Sequence, residues 1–242
     1  MSNAMRAARS LAFAVALLIV TPPYALFVLA SAPLPRKARC VLISGWARFA
    51  LMLLRLLFGI RWKIEGAERL PKRPSIVFSN HQSVWETFAF QAIFPPQSYV
   101  LKRELLWIPF FGWGLALMSP IAIDRARGTA ALRQVARKGA ERLAQGLWVV
   151  VFPEGTRVAP GEHGRWKLGG AWLAAESGAP VVPVAHNAGL VWPTSGRFPR
   201  RAGTITVRIG APIASKGREP QAINDEARTW IEAQSEALAR AS

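Results

Sequence analysis

The chain has 242 residues, with 31 lysines and arginines against 14 aspartates and glutamates, and 51% of its residues are hydrophobic. This length suits one core-forming domain with an extension, and the apolar content excludes both a disordered chain and a small disulfide-stabilised protein. The single cysteine, Cys40, can form neither an internal disulfide nor a cysteine-ligated zinc site. The net charge of +17 leaves two classes of partner open: nucleic acid, and anionic lipids or phosphorylated substrates.

The distribution of the charge favours the lipid class. No acidic residue precedes Glu65, while basic residues alternate with long apolar runs up to that point. The absence of a helix-turn-helix or zinc-finger signature further disfavours nucleic acid as the partner. The basic residues concerned are Arg6, Arg9, Arg36, Lys37, Arg39, Arg48, Arg55, Arg61 and Lys63.

The N-terminus contains an apolar segment long enough to cross a bilayer. Residues 1–4 are interpreted as an expression scar, with Met5 as the native start. Residues 11–30 carry no charge, and a helix of that length spans a hydrocarbon core of about 30 Å. Pro22 and Pro23 predict an interruption in the middle of this segment, because proline removes a backbone donor. A cleavable signal peptide is the competing interpretation, but the segment has no clean small-residue cleavage site.

Basic residues flank this segment on both sides, which predicts a shallow, bent insertion rather than a crossing. A second apolar segment, 41–60, carries Arg48 and Arg55 seven residues apart, and therefore on nearly one helical face. We expect this helix to lie at the membrane interface; the alternative is a helix packed on the domain with two solvated arginines. The predicted organisation is a membrane-associated helical segment at 5–63, followed by a domain at 64–242.

The remainder of the chain alternates short β-rich runs with helical patterns. Helices are predicted at Thr129–Ala144 and Pro220–Arg240, and 193–201 is interpreted as an exposed basic loop. This alternation predicts an α/β fold with a mixed, mostly parallel central sheet flanked by helices. The predicted strands are Ser75–Ser79, Tyr99–Leu101, Pro120–Ile123, Leu147–Phe152, Val181–Ala185 and Thr204–Ile209.

A histidine and a carboxylate follow the first predicted strand of the domain. In open α/β sheets ligands bind beyond the carboxyl ends of the strands, so His81 and Glu86 lie where chemistry is expected. A neutral imidazole can accept a proton from a hydroxyl, and a carboxylate on its other nitrogen stabilises the imidazolium. Glu86 also completes a capping box that begins at Ser83, in which its carboxylate would only satisfy a backbone amide. Spacing alone leaves both interpretations open.

A second polar turn follows the most apolar strand. Glu154, Gly155, Thr156 and Arg157 combine a guanidinium, a hydroxyl and a small residue, a set suited to a phosphate monoester. The alternative is an ordinary turn in which Glu154 and Arg157 pair with each other or with neighbouring side chains.

Two further cations also follow strands: Lys102 and Arg125 could bind the same phosphate or could simply be solvated. Among the other histidines, His163 is expected to be a loop residue and His186 to have a structural role. The three histidines show no metal-ligand spacing, so no metal site is predicted.

These motifs together resemble the glycerolipid acyltransferase family, and most closely its lysophosphatidic acid acyltransferases. Asn80, His81 and Glu86 resemble the N-H-x4-D motif, and Phe152 to Arg157 are identical to the F-P-E-G-T-R motif. Four blocks occur in the expected order between Asn80 and Ile213. The departure is Glu86, where the family usually has Asp. The other two of the four blocks are 119–125 and 179–184, and further runs similar to the family are 102–105, 166–169 and 210–213.

The resemblance implies that His81, oriented by Glu86, is the catalytic base. It implies acyl transfer from acyl-CoA or acyl carrier protein to the sn-2 hydroxyl of 1-acyl-sn-glycerol 3-phosphate, giving phosphatidic acid without a metal or other cofactor. The substrate-binding set would be Lys102, Arg125, Glu154, Gly155, Thr156 and Arg157. Within it, Lys102, Arg125 and Arg157 would hold the phosphate, and Gly155 and Thr156 would shape the turn around it. Together with the charge pattern, it implies a peripheral or monotopic protein of a bacterial-type inner membrane, with its active site on the cytoplasmic side.

Two alternatives remain open at this point. One is the same chemistry on another acceptor, such as a lyso-ornithine lipid. The other is a non-catalytic protein that binds anionic lipids through 5–63.

Overall fold

The protein is described by a computed structural model that covers residues 3–124, 128–194, 198–199 and 201–241. One mixed sheet of seven strands forms its centre, in the order β1-β7-β6-β2-β5-β3-β4. The strands are β1 (Ile60–Glu65), β2 (Ile76–Ser79), β3 (Gln97–Lys102), β4 (Ile121–Ile123), β5 (Trp148–Val151), β6 (Val181–His186) and β7 (Gly203–Ile209). The helices are α1 (Asn3–Ala30), α2 (Arg36–Phe58), α3 (Trp85–Ile93), α4 (Phe111–Leu117), α5 (Thr129–Ala144), α6 (Gly169–Ser177) and α7 (Pro220–Arg240).

The sheet is mostly parallel, as predicted. Strands β6, β2, β5, β3 and β4 are parallel to one another, β7 is antiparallel to β6, and β1 is parallel to β7. The strands β2, β5 and β6 are buried along their whole length, which explains their continuous apolar sequence.

The edge strand β1 was not predicted, and it crosses the boundary predicted at 63/64. It pairs with β7 from Ile60 to Glu65, so residues 60–63 belong to the sheet and not to the N-terminal helices. Its charged residues, Arg61, Lys63 and Glu65, alternate with apolar ones, as expected for a half-exposed edge strand. In the sequence this alternation follows directly on the apolar segment 41–60, so it was not recognised as a strand.

Helices cover both faces of the sheet, and the two faces form separate hydrophobic clusters. Val77 of β2 packs in the cluster that contains residues of α1, α2 and α3. Its neighbours Ile76 and Phe78 point to the opposite face, in the cluster that contains residues of α5, α6 and α7.

Helix α1 continues through Pro22 and Pro23, so the predicted interruption is wrong. The two carbonyls that lose their usual partners to these prolines belong to Leu18 and Ile19, whose side chains are exposed. Contacts with α2 hold the second half of the helix: the Trp46 indole N–H donates to Thr21 Oγ1 at 3.0 Å, and the Tyr24 hydroxyl donates to the Leu42 carbonyl. Tertiary contacts therefore compensate for the missing backbone hydrogen bonds.

Both N-terminal helices are long and apolar enough to cross a bilayer, and an 18-residue stretch has a mean hydropathy of 2.2 in α1 and 1.8 in α2. This conclusion rests only on the length and composition of the two helices. Large apolar side chains of both helices face outward, and Arg48 and Arg55 are exposed on α2. These features suggest membrane association. The outward apolar side chains include Leu11, Val15, Leu18, Ile19, Leu26, Phe27, Val41, Met52 and Leu56.

Candidate active site

The two turns predicted to carry chemistry lie at one edge of the sheet. Strands β2 and β5 are parallel neighbours, paired from Ile76 with Val149 to Phe78 with Val151. The turn with His81 follows β2, and the turn with Arg157 follows β5. Their carboxyl ends therefore bring the two turns together.

His81 and Glu86 form a hydrogen-bonded pair. The distance from His81 Nδ1 to Glu86 Oε1 is 2.8 Å, and Glu86 is fully buried while the His81 side chain is 17% exposed. Because a carboxylate only accepts hydrogen bonds, Nδ1 carries the proton and Nε2 is left as the acceptor. The ring of Phe152 stacks on the imidazole at 4.3 Å. The pair thus has the arrangement of a general base with its orienting carboxylate.

The capping interpretation of Glu86 is also correct, and the same oxygen serves both roles. Glu86 Oε1 accepts the backbone N–H groups of Gln82 at 2.9 Å and Ser83 at 2.7 Å, and Ser83 Oγ accepts the N–H of Trp85 at 3.2 Å. The first turn of α3 thereby holds the carboxylate beneath His81. Glu86 reaches both the loop and the ring from the first turn of the helix.

Charges and hydrogen bonds keep Glu86 ionised despite its burial. Burial alone would raise the pKa of Glu86, but the nearby His186, the hydrogen-bonded His81 and the Ser83 N–H together lower it. Its other oxygen, Oε2, is buried without a hydrogen-bond partner among the described residues. The three hydrogen bonds of the carboxylate, from His81, Gln82 and Ser83, are all made by Oε1.

His186 has a structural role, as expected. It is fully buried at the end of β6, where its Nε2 lies 2.9 Å from the Asn80 carbonyl and its Nδ1 accepts the Ala188 N–H at 3.3 Å. The Asn80 side chain in turn bonds the main chain of His186 through both its nitrogen and its oxygen. Burial lowers the pKa of His186. This network fixes the turn that begins at Asn80, directly before His81.

Glu154, which was predicted to belong to the substrate-binding set, bonds the main chain of His81. Its Oε2 accepts the backbone N–H of His81 at 2.7 Å, and the Val158 N–H donates to the His81 carbonyl at 2.7 Å. The turn after β5 therefore holds the main chain of His81 on both sides. Burial raises the pKa of Glu154 to about 8; the His81 N–H lowers it, and the carboxylates of Glu86 and Glu232 raise it further.

The rest of this turn is open to solvent. Gly155 has a φ of +68°, and a Cβ there would lie 3.0 Å from Lys167 Nζ, so glycine allows both the turn and the lysine. Thr156 and Arg157 are exposed. Arg157 forms no ion pair with any described residue, which rules out the predicted alternative of a Glu154–Arg157 pair in this structure.

Two lysines from other elements line the same cavity as Arg157. Lys102 lies at the end of β3, half-exposed and 3.9 Å from Glu104. Lys167 was not assigned a role from the sequence, although it falls in the run 166–169 that resembles the family. Arg125 lies outside the described residues, as do Arg197 and Arg200 of the predicted basic loop.

His163 lies away from this cluster, 3.5 Å from Glu232 and 3.3 Å from Glu236 of α7. Within the described ranges no group of three or more histidine, cysteine or acidic side chains could hold a metal ion.

A cavity of about 1050 Å³ runs along this edge of the sheet. His81, Gly155, Arg157 and Lys102 line it, together with apolar residues of both helix layers. It extends to α1 and α2 on one side and to α5, α6 and α7 on the other. The arrangement joins the His81–Glu86 pair, a group of cations and an apolar space.

Comparison with known proteins identifies the family. The acyltransferase family model matches residues 61–187. The 1-acyl-sn-glycerol-3-phosphate acyltransferase of Pseudomonas aeruginosa is 48% identical over 202 residues, which are 82% of this chain and 78% of that protein. The Saccharomyces cerevisiae protein of that name is 36% identical, over 72% of this chain and 59% of its own length.

A solved structure is similar along nearly the whole chain. The crystal structure of the 1-acyl-sn-glycerophosphate (LPA) acyltransferase from Thermotoga maritima superimposes with a TM-score of 0.82 at 25% identity, covering 99% of this chain and 98% of that one. The region matched by the family model, 61–187, contains His81, Glu86 and the turn after β5. The chain therefore belongs to the acyltransferase family.

Proposed function

We propose that the protein transfers an acyl chain from a thioester to the sn-2 hydroxyl of 1-acyl-sn-glycerol 3-phosphate, giving phosphatidic acid for phospholipid synthesis. The observation that carries this proposal is the His81–Glu86 pair in the wall of a cavity that is also lined by cations and by an apolar section. The names of the relatives from Pseudomonas aeruginosa and Saccharomyces cerevisiae support the choice of acceptor.

In the proposed reaction, Nε2 of His81 takes the proton from the acceptor hydroxyl as its oxygen attacks the thioester carbonyl. The ester C–O bond forms, the C–S bond breaks, and the proton passes to the departing sulfur, so that the second product is a free thiol. Glu86 stabilises the imidazolium that forms between the two transfers. Glu154 and Val158 hold the main chain of His81, and so position the ring. This mechanism requires no metal and no cofactor besides the thioester substrate.

The phosphate of the acceptor is proposed to bind the cations at the strand ends. Arg157 and Lys167 line the cavity without an ion pair among the described residues, and Lys102 lines it from β3. Arg125 completes the set predicted from the sequence. A guanidinium and ammonium groups suit a phosphate monoester because their hydrogen bonds are charge-assisted.

The apolar section beside α1, α2 and α4 is proposed to hold the acyl chain of the thioester donor. Its walls include Val28, Phe88, Leu101, Leu105 and Met118. Since α1 and α2 also carry exposed apolar side chains, the chain could pass between this section and a bilayer. We propose a peripheral or monotopic attachment to the cytoplasmic face of a bacterial-type inner membrane rich in anionic lipid.

The test is a product analysis with purified protein in detergent. Lysophosphatidic acid plus an acyl-CoA or acyl carrier protein thioester should yield phosphatidic acid. The His81→Ala variant should lose at least about two orders of magnitude in rate, because general base catalysis contributes that much. His163→Ala is the matched control and should keep the wild-type rate, since His163 lies outside the cavity.

Two results would contradict the proposal. Unchanged turnover in His81→Ala would remove the base from the mechanism. In a parallel panel of acceptors, acylation of a lyso-ornithine lipid in preference to lysophosphatidic acid would keep the chemistry but replace the acceptor.

A further inference from the structure

The cavity continues past His81 into a section that the proposed function leaves without an occupant. We call it the distal section; it lies between α5, α6 and α7, on the face of the sheet opposite α1 and α2. Its polar lining residues are Arg165, Trp166, Gln221, Asn224, Asp225 and Arg228.

The side chain of Asn224 lies in this wall without a hydrogen bond to any described residue. Asn224 is only 2% exposed, and its Oδ1 is buried and unpaired. Such groups are rare, because more than nine in ten buried polar atoms in folded proteins have a partner. The oxygen and nitrogen of an asparagine amide can exchange places by rotation, so either a donor or an acceptor can face the cavity.

A second unpaired polar group lies in the same wall. The indole Nε1 of Trp166 is buried and has no hydrogen-bond partner among the described residues, and Trp166 is 8% exposed. An amide together with an indole N–H provides the donors and acceptors that an amide-containing ligand would use.

Cations at the distal section add a preference for an anionic group. Arg165 is exposed and has no ion pair among the described residues. Arg228 bonds Glu232 through Nε at 2.8 Å, which leaves the other guanidinium nitrogens available. The acid in this lining, Asp225, accepts a hydrogen bond from the Gln221 amide at 2.8 Å.

We propose that the distal section binds the 4′-phosphopantetheine arm of the thioester donor. This arm contains two amides and ends in a phosphate ester, and it is common to CoA and to acyl carrier protein. Asn224 and Trp166 would bond its amides, and Arg165 with Arg228 would bind its phosphate. The thioester then lies at the sheet edge near His81, with the acyl chain in the apolar section beyond. This inference rests on the proposed function, which it extends by assigning the donor site.

The first test measures KM for each substrate separately in detergent. Arg165→Ala should raise KM for acyl-CoA and for acyl carrier protein thioester alike, about tenfold, because it removes a charge-assisted contact. KM for lysophosphatidic acid should not change. The matched control is Arg137→Ala, an exposed arginine of α5 outside the cavity, which should leave both donor KM values unchanged.

A second variant separates ligand binding from folding. Asn224→Leu should raise KM for both donors while the melting temperature stays the same or rises, because the amide has no hydrogen bond within the protein to lose. A fall in melting temperature with unchanged donor KM would assign Asn224 a structural role and overturn the proposal.

Comparing the KM changes for the two donors shows which part of the donor the distal section binds. A change confined to acyl-CoA would point to its nucleotide, and a change confined to acyl carrier protein would point to the carrier surface; either result overturns the shared site. A rise in KM for lysophosphatidic acid alone would assign the section to the acceptor, which also overturns it.

Calorimetry with 4′-phosphopantetheine and with CoA keeps this inference separate from the proposed function. If the wild type binds both compounds and Arg165→Ala weakens both, the site stands even if lysophosphatidic acid is not acylated. The other outcome is a wild type that acylates lysophosphatidic acid but binds neither compound, or binds both no more tightly than Arg165→Ala does. In either case the proposed function stands and this inference fails.

Discussion

One carboxylate oxygen, Oε1 of Glu86, accepts hydrogen bonds from the His81 ring and from two backbone amides. Its charge serves the ring, whereas its acceptor capacity serves the loop. These two contributions can be separated by substitution, because glutamine keeps the acceptor oxygen and loses the charge.

We expect Glu86→Gln to lower kcat by about 10²- to 10⁴-fold, because a neutral amide cannot stabilise the imidazolium. Glu86→Asp retains the charge and should keep more activity than Glu86→Gln, although its shorter side chain must shift to reach His81. Steady-state rates with lysophosphatidic acid and one thioester donor provide the measurement. Equal rates in the two variants would show that the charge of Glu86 does not assist His81.

Glu154 should make stability depend on pH. Burial raises its pKa from the ordinary 4.5 to about 8, so between these values the folded protein holds a proton that the unfolded chain has released. The free energy of unfolding therefore falls as pH rises through this window. Glu154→Gln keeps an acceptor for the His81 N–H but cannot titrate, and its melting temperature should vary less between pH 5 and pH 8. Parallel melting curves in the two proteins would contradict this assignment.

At the residue level, spacing predicted only that Glu86 could either bond His81 or cap the helix, and the resemblance to the family motif made it the expected partner of His81. The structure shows both contacts. The role of Glu154 could not be predicted. Its partner is a backbone N–H more than seventy residues away, which only the pairing of β2 with β5 brings close. Lys167 was missed for the same reason: its neighbour Gly155 belongs to another turn.

Among the elements, the contact of α1 with α2 depends on a small residue. A Cβ at Gly45 would collide with the Tyr24 hydroxyl, which bonds the Leu42 carbonyl. Glycine at this position therefore permits the close approach of the two helices.

We expect Gly45→Ala to be less stable than Gly114→Ala by about 1–2 kcal/mol. Replacing glycine by alanine raises the helix propensity equally at both positions. At position 45 the added Cβ also displaces the Tyr24 hydroxyl, whereas at position 114 it meets no atom within 4 Å. Thermal unfolding of both variants in detergent measures the difference. Identical shifts in melting temperature would show that the Tyr24 contact contributes nothing.

The bounds of the elements were predictable where local patterns are strong. Helices α5 and α7 occupy the predicted ranges, because each has an amphipathic pattern of many turns. The continuity of α1 was not predictable, since it depends on Trp46 and Tyr24 bonding across to the other helix. The strand β1 depends similarly on a partner, β7, at the other end of the chain.

At the scale of the whole molecule, the charge excess should govern attachment to lipid. Binding to vesicles of anionic lipid should weaken as salt is raised, because screening shortens the reach of exposed charges to about 10 Å at 0.1 M. The exposed apolar face of α1 should leave a fraction of the binding that salt does not remove. Co-sedimentation with anionic and with neutral vesicles measures both contributions. Binding to anionic vesicles that does not respond to salt would contradict the electrostatic part.

The cavity touches both helix layers because it lies along the edge of the sheet and not within one layer. Under the proposed assignments, the donor spans both sides of this edge, with its arm between α5, α6 and α7 and its acyl chain beside α1 and α2. The phosphate of the acceptor would bind between these two parts of the donor, at the cations near His81. Both substrates would then be bound at the same time, and the acyl group would pass directly from one to the other.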